Sequence, residues 1–142
     1  MRKTATIAVV ALYTVATAPT ALGQSRAAQW LENEQVKAGC SSGRGKFSRG
    51  GIVERDLTGD GRADLIIDHS ELTCSGSFTR SGFCGVQACS ILFYVREGDL
   101  LKLNTETLSI GHEIGPGSRP EIKLAAHGGQ SYSMRWFDGS FR

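Results

Sequence analysis

Four cysteines, Cys40, Cys74, Cys84 and Cys89, punctuate the middle of the chain, and nothing else in the sequence limits the fold as strongly. Their meaning depends on the N-terminus. Arg2 and Lys3 precede an apolar run from about Ala5 to Ala16, and Ala21-Leu22-Gly23 then leads to Gln24. These are the charged, apolar and small-residue parts of a secretory leader, with Gln24 as the expected mature start. The apolar run is about a dozen residues, short of the ~20 that span a bilayer. An even number of cysteines in an exported chain reads as two disulfides. Of the three possible pairings, the favoured one closes a small loop from Cys84 to Cys89 and leaves Cys40 with Cys74 as a long-range staple. A four-cysteine zinc site is the rival, and it lacks a CxxC knuckle.

Removing the leader also changes the charge balance. Without Arg2 and Lys3, 14 basic residues face 14 acidic ones, so residues 24–142 are formally neutral. A basic footprint for nucleic acid, or for an anionic membrane, is absent at the level of the whole chain. The remaining length suits one domain with an adequate core.

Ala27, Trp30, Leu31 and Ala38 recur near helical spacing between Ser25 and Ala38, and Gly39 stands where a C-terminal cap belongs. This predicts one amphipathic helix, which a disulfide at Cys40 would tie to a sheet. Ser41 to Gly51 reads as a flexible Gly-rich loop. Its Arg44, Lys46 and Arg49 are a candidate anion site, or simply a solvated face. Strand patterns follow at Leu65–Asp68, Ser90–Val95, Leu101–Leu103, Leu108–Ile110 and Glu121–Leu124, with Tyr132, Met134 and Trp136 placed on one strand face. Ser90–Val95 is continuous enough to be buried on both faces. Glu71 to Cys89 reads as a long excursion held down by disulfides, a place for a partner surface. The expected fold is α+β: one N-terminal helix and a mostly antiparallel meander of six or seven strands, disulfide-stapled.

Asp56-Leu57-Thr58-Gly59-Asp60-Gly61-Arg62-Ala63-Asp64 carries the one spacing with a definite chemical reading. A hard cation wants six to eight oxygens, and positions 1, 3, 5 and 9 of a tight loop supply them around a Gly at position 6 and a carbonyl at position 7. The expected ligands are Asp56, Thr58, Asp60, Asp64 and the main-chain oxygen of Arg62, with the Arg62 side chain pointing to solvent. Position 12 is Ile67, where an EF-hand has a bidentate Glu, so the loop is not an EF-hand. Asp64 just before the apolar Leu65-Ile66-Ile67 instead resembles the calcium loop of FG-GAP repeats in integrin α-chains and of VCBS-type repeats, roughly DxNGDGxxDL. Thr58 departs from the Asn or Asp usual there. The missing position-12 Glu, the neutral Thr58 and the strand beginning at Leu65 argue for a structural Ca2+ rather than a catalytic one. The Phe83-Cys84-Gly85 to Cys89 segment downstream is similar to that of small exported bacterial proteins with one such loop.

Candidates for acid-base or nucleophilic work are Asp68-His69-Ser70, His112 and His127, none within a recognisable motif. The functional expectation is therefore an exported, non-enzymatic module, periplasmic or secreted, that binds a protein or glycan partner. It takes neither nucleic acid nor, once mature, a membrane. The alternatives are a small hydrolase using His69 or His127, or an enzyme inhibitor whose reactive loop is the Cys74–Cys89 segment.

Overall fold

The computed structural model describes residues 23–142. The leader expected over residues 1–23 lies outside the described residues except for Gly23.

Helix α1 spans Arg26–Gly39 and starts where Ser25 Oγ accepts the Ala28 amide at 3.2 Å. Its buried stripe is Ala28 and Gly39, with Leu31 and Val36 packed beside them, whereas Trp30 is exposed. The apolar face thus lies rotated from the expected Ala27, Trp30, Leu31 and Ala38, because the sheet meets the helix on the other side of Leu31. Gly39 is not a left-handed cap either. A Cβ there would lie 2.9 Å from Ser81 Oγ and 3.2 Å from both Leu72 and Phe83, so this glycine permits a close approach of the cysteine-rich segment.

Eleven short strands follow. The central antiparallel sheet has the order β2 (Ile52–Arg55), β3 (Asp64–Asp68), β5 (Cys89–Glu97), β6 (Leu100–Ser109). A second sheet holds β7 (His112–Ile114), β8 (Ile122–Ala125) and β9 (Ser131–Met134). Two two-stranded antiparallel pairs complete it: β1 (Gly45–Phe47) with β4 (Leu72–Cys74), and β10 (Trp136–Phe137) with β11 (Ser140–Phe141). The α+β, mostly antiparallel class holds, with more and shorter strands than the six or seven expected. Strand β1 lies inside the Gly-rich stretch read as a flexible loop, and β4 inside the excursion. Their pairing, Gly45 to Cys74 and Phe47 to Leu72, is non-local and leaves no periodic trace in three residues. Tyr132 and Met134 share one face of β9, 40% and 7% exposed, whereas Trp136 belongs to the separate strand β10 because β9 ends at Met134.

Period-two alternation in β3 and β5 separates two cores. Leu65, Ile67, Leu92 and Tyr94 face α1, Phe47, Leu72 and the Cys40–Cys74 pair. Ile66, Ile91 and Phe93 face the second sheet through Ile122, Leu124, Met134 and Phe141. The central sheet is therefore covered on both sides, as the continuous apolar run Ser90–Val95 requires. Both disulfides form as favoured, Cys40–Cys74 and Cys84–Cys89. Among the described residues no helix is long and apolar enough to cross a membrane.

Candidate functional site

The loop between β2 and β3 brings Asp56, Thr58, Asp60, Arg62 and Asp64 together, and each carboxylate has a different task. Asp56 folds the turn: its Oδ1 accepts the Gly59 amide at 2.6 Å and its Oδ2 the Gly61 amide at 3.0 Å. Gly59 and Gly61 both have φ of +82°, which is why glycines stand there. Asp64 is fully buried and turned inward. Its Oδ2 accepts the amides of Leu57 and Thr58 at 2.9 and 3.0 Å, and its Oδ1 the Arg96 amide at 2.9 Å. Three of its roughly four acceptor positions are thus filled by backbone N–H groups.

Asp60 sits at the exposed tip. Arg62 closes on it from its own loop, with the amide on Oδ1 at 2.9 Å and Nε and Nη2 on Oδ2 at 3.0 and 2.7 Å. The expected solvent-pointing Arg62 side chain is instead a counter-ion, because an unpaired carboxylate lies within its reach. That contact, above all, holds the Asp60 carboxyl below its ordinary range. A second cation, Arg119, donates Nε to the Thr58 carbonyl at 3.2 Å and lies against Gly59, from a backbone with φ of +52°.

Thr58 is the exception in this satisfied loop. The residue is 5% exposed, and its Oγ1 is the one buried side-chain nitrogen or oxygen among the described residues without a hydrogen-bond partner. The hydroxyl adds slightly to the lowering of Asp60 without reaching hydrogen-bond geometry. Buried polar groups without a partner are uncommon and point to a missing one. Among the described residues no three of His, Cys, Asp or Glu form a group poised to hold a metal. The loop oxygens not fully committed within the protein are those of Asp56 and the Thr58 hydroxyl, while Arg62 occupies the Asp60 carboxylate.

The histidines fall out differently from their order in the sequence. His69 is fully buried between the rings of Phe47 and Phe83, centroids 5.8 and 4.4 Å away. Its Nε2 lies 2.9 Å from Gln35 Oε1 and its Nδ1 3.0 Å from Ser81 Oγ. With both nitrogens engaged, and with burial pushing its pKa down to about 4, His69 has no lone pair to offer a substrate. His127 lies exposed in a 3-10 turn, His127–Gly129. The histidine that Asp68 meets is His112, at 2.7 Å. Sequence reasoning missed this pair because 44 residues separate its members.

A half-buried charge, Arg96, reaches Glu54 Oε1 at 2.7 Å and Ser25 Oγ at 3.0 Å, tying β5 to β2 and to the start of α1. The arrangement is that of a small α+β domain with an Asp-rich loop in which Asp60 alone has an ion-pair partner among the described residues. No family model matches the chain, and no curated protein or solved structure matches it either.

Proposed function

We propose that this domain is an exported module that acts by binding, and that its Asp56–Asp64 loop takes a structural calcium ion. Asp56, Thr58, Asp60 and the Arg62 carbonyl would hold the ion, which would neutralise the tip of the turn. Asp64 acts from beneath, fixing the loop to β5 through Arg96. The observation that carries this reading is the buried, unpartnered Thr58 hydroxyl between two aspartates.

The two disulfides support an oxidising setting outside the cytoplasm; with millimolar calcium there, a weak site with a dissociation constant of about 0.1 to 1 mM would be filled. The partner surface on this reading is the cysteine-pinned segment 75–88, which exposes Phe78 and Val86 to 75% and 92%. Large apolar groups offered from a tethered loop suit a protein partner.

Melting curves of the wild type and of Asp60→Ala, each with calcium and with EGTA, test the metal. Saturation at 100 times the dissociation constant stabilises by about 2.7 kcal/mol. The wild type should gain a clear rise in melting temperature from calcium, and Asp60→Ala should gain little. No response of the wild type to calcium overturns the reading.

A further inference from the structure

Residues 40–53 and 72–88 carry Arg44, Lys46, Arg49 and Arg80 and not one Asp or Glu, although residues 24–142 are formally neutral as a whole. The fold brings the two stretches together. β1 pairs with β4, the Cys40–Cys74 bridge locks them, and the chain beyond β4 returns so that Arg80 bridges Thr73. Lys46, Thr73 and Arg80 therefore stand side by side across three adjacent backbones, and directly opposed residues of antiparallel strands share a face. All three are exposed, whereas the alternate residues Phe47, Leu72 and Cys74 are buried, so this row lies on the solvent face.

A second row runs beside it. The Ser75 amide donates to the Arg44 carbonyl at 2.9 Å, and both residues are exposed. Arg44 stands two residues before Lys46 and Ser75 two after Thr73, the spacing that returns a strand to one face. Arg49 joins them, lining one open depression with Lys46, Thr73 and Ser75. None of the four cations forms an ion pair among the described residues, and Arg80 uses only Nη1, on the Val86 carbonyl at 3.4 Å. The carboxylate that borders the patch in sequence, Glu71, accepts the Ser48 hydroxyl.

Lys46 and Arg80 are two strand spacings apart, about 10 Å between backbones, so the rows suit an extended polyanion better than a single small anion. The two rows offer no apolar anchor for a protein interface and no ring on which a base could stack. Phe78 lies beyond them, in the turn that the Cys74 amide closes on the Thr79 carbonyl at 2.8 Å. What the rows do offer is hydroxyls set among cations, the complement of sugar hydroxyls set among fixed anions.

We propose that this face binds an anionic polysaccharide, with Arg44, Lys46, Arg49 and Arg80 on its sulfate or carboxylate groups and Thr73 and Ser75 on its hydroxyls. The guanidinium groups can take such oxoanions through paired N–H donors, and Lys46 acts as a point charge. Exposure makes each contact weak and the sum strongly dependent on salt. The surface is separate from the Asp56–Asp64 loop and from Phe78 and Val86, so the inference rests on neither the calcium nor the protein-partner reading.

Its test is titration of the intact disulfide-bonded domain, in EGTA at low ionic strength, with heparin, polygalacturonate and neutral dextran, and with oligo-dT and polyglutamate as polyanions of other classes. The variants are Arg44→Ser/Lys46→Ser/Arg80→Ser and, removing the same charge from exposed sites elsewhere, Arg26→Ser/Lys123→Ser/Arg135→Ser. At least one of the two anionic polysaccharides should bind more tightly than oligo-dT and polyglutamate, and dextran should not bind. Binding of heparin alone identifies sulfate as the group recognised, and binding of polygalacturonate alone identifies carboxylate. The patch variant should weaken the binding by about 3- to 150-fold, the range of three exposed ion pairs, and the control variant should leave it unchanged. No binding of either anionic polysaccharide, equal affinity of the two variants, or tighter binding of oligo-dT or polyglutamate overturns the proposal.

Amide NMR shifts of the wild type give a readout that needs no variant. On addition of the tighter-binding polysaccharide they should fall on β1, β4 and residues 75–81. Shifts centred on any other face overturn the assignment.

Discussion

His69 Nε2 lies 2.9 Å from Gln35 Oε1, so a buried imidazole on the turn after β3 is tied to the C-terminal half of α1. The Gln35 carbonyl can only accept, which puts the ring proton on Nε2 and makes Nδ1 the acceptor for the Ser81 hydroxyl. Ser81 in turn accepts the Phe83 amide at 3.2 Å. Helix, turn and cysteine-rich segment thus meet at one neutral ring.

That ring predicts an acid-sensitive fold. Its folded pKa is about 4 against an ordinary 6.5, so the unfolded chain takes up the proton first as the pH falls. Stability should drop between pH 6.5 and 4, by on the order of 3 kcal/mol, and then level off with respect to this group. Asp68, lowered in the fold, adds a further loss only below its ordinary value of 3.8. Chemical denaturation at intervals from pH 7 to 4 checks the first window, and His69→Gln should flatten it.

Asp64→Ala should damage the domain whether or not calcium is added. It removes the acceptor of three backbone amides, two of them buried with it. Each buried stranded donor costs about 1–3 kcal/mol, so the two buried amides alone imply a loss of about 2–6 kcal/mol, measured in urea. Asp64→Asn should be milder, since one amide oxygen remains.

Thr58→Val separates a ligand from an ordinary loop residue. Without calcium, removing an orphaned hydroxyl should be neutral or stabilising, because nothing in the protein bonds to it. With calcium, the same change should weaken binding by calorimetry. Arg62→Gln should do the opposite and tighten it, because the guanidinium no longer competes with the ion for the Asp60 carboxylate.

Gly45→Ala tests the seam between β1 and β4. A Cβ there would lie 2.7 Å from Cys40 Sγ and 2.8 Å from the Thr73 carbonyl oxygen, and neither belongs to a flexible side chain. A loss of about 1–3 kcal/mol is expected from such overpacking, measured by thermal melting under non-reducing conditions.

The bridges themselves should differ. In the loop-entropy picture the Cys40–Cys74 bridge, 34 residues apart, contributes about 4 kcal/mol, and the Cys84–Cys89 bridge, 5 apart, about 2. Replacing Cys40 and Cys74 by Ala should therefore lower the melting temperature more than replacing Cys84 and Cys89.

What could be read from the sequence was whatever repeats locally. The apolar run Ser90–Val95 foretold a doubly covered strand, and the Gly-spaced aspartates foretold a tight turn before β3. The helix was evident, though its buried face was not, since the large ring of Trp30 suggests a core position yet lies exposed while the small Ala28 is fully buried. Pairings across long separations left no trace: Gly45 with Cys74, Asp68 with His112, Arg96 with Glu54. Asp64 shows the same limit within the loop, because its alternating place among the aspartates says nothing of the inward turn that commits it to backbone amides.

The Cys84–Cys89 bridge encloses a segment whose tip, Val86, is almost wholly exposed. A protease that cut beside Val86 would release neither end, since the sulfur link lies outside the cut. The clipped chain would migrate as one band on a non-reducing gel and as two after reduction. It would also still be pinned to the long bridge's side of the fold, so a bait-and-trap encounter with a protease at this tip would leave the domain standing.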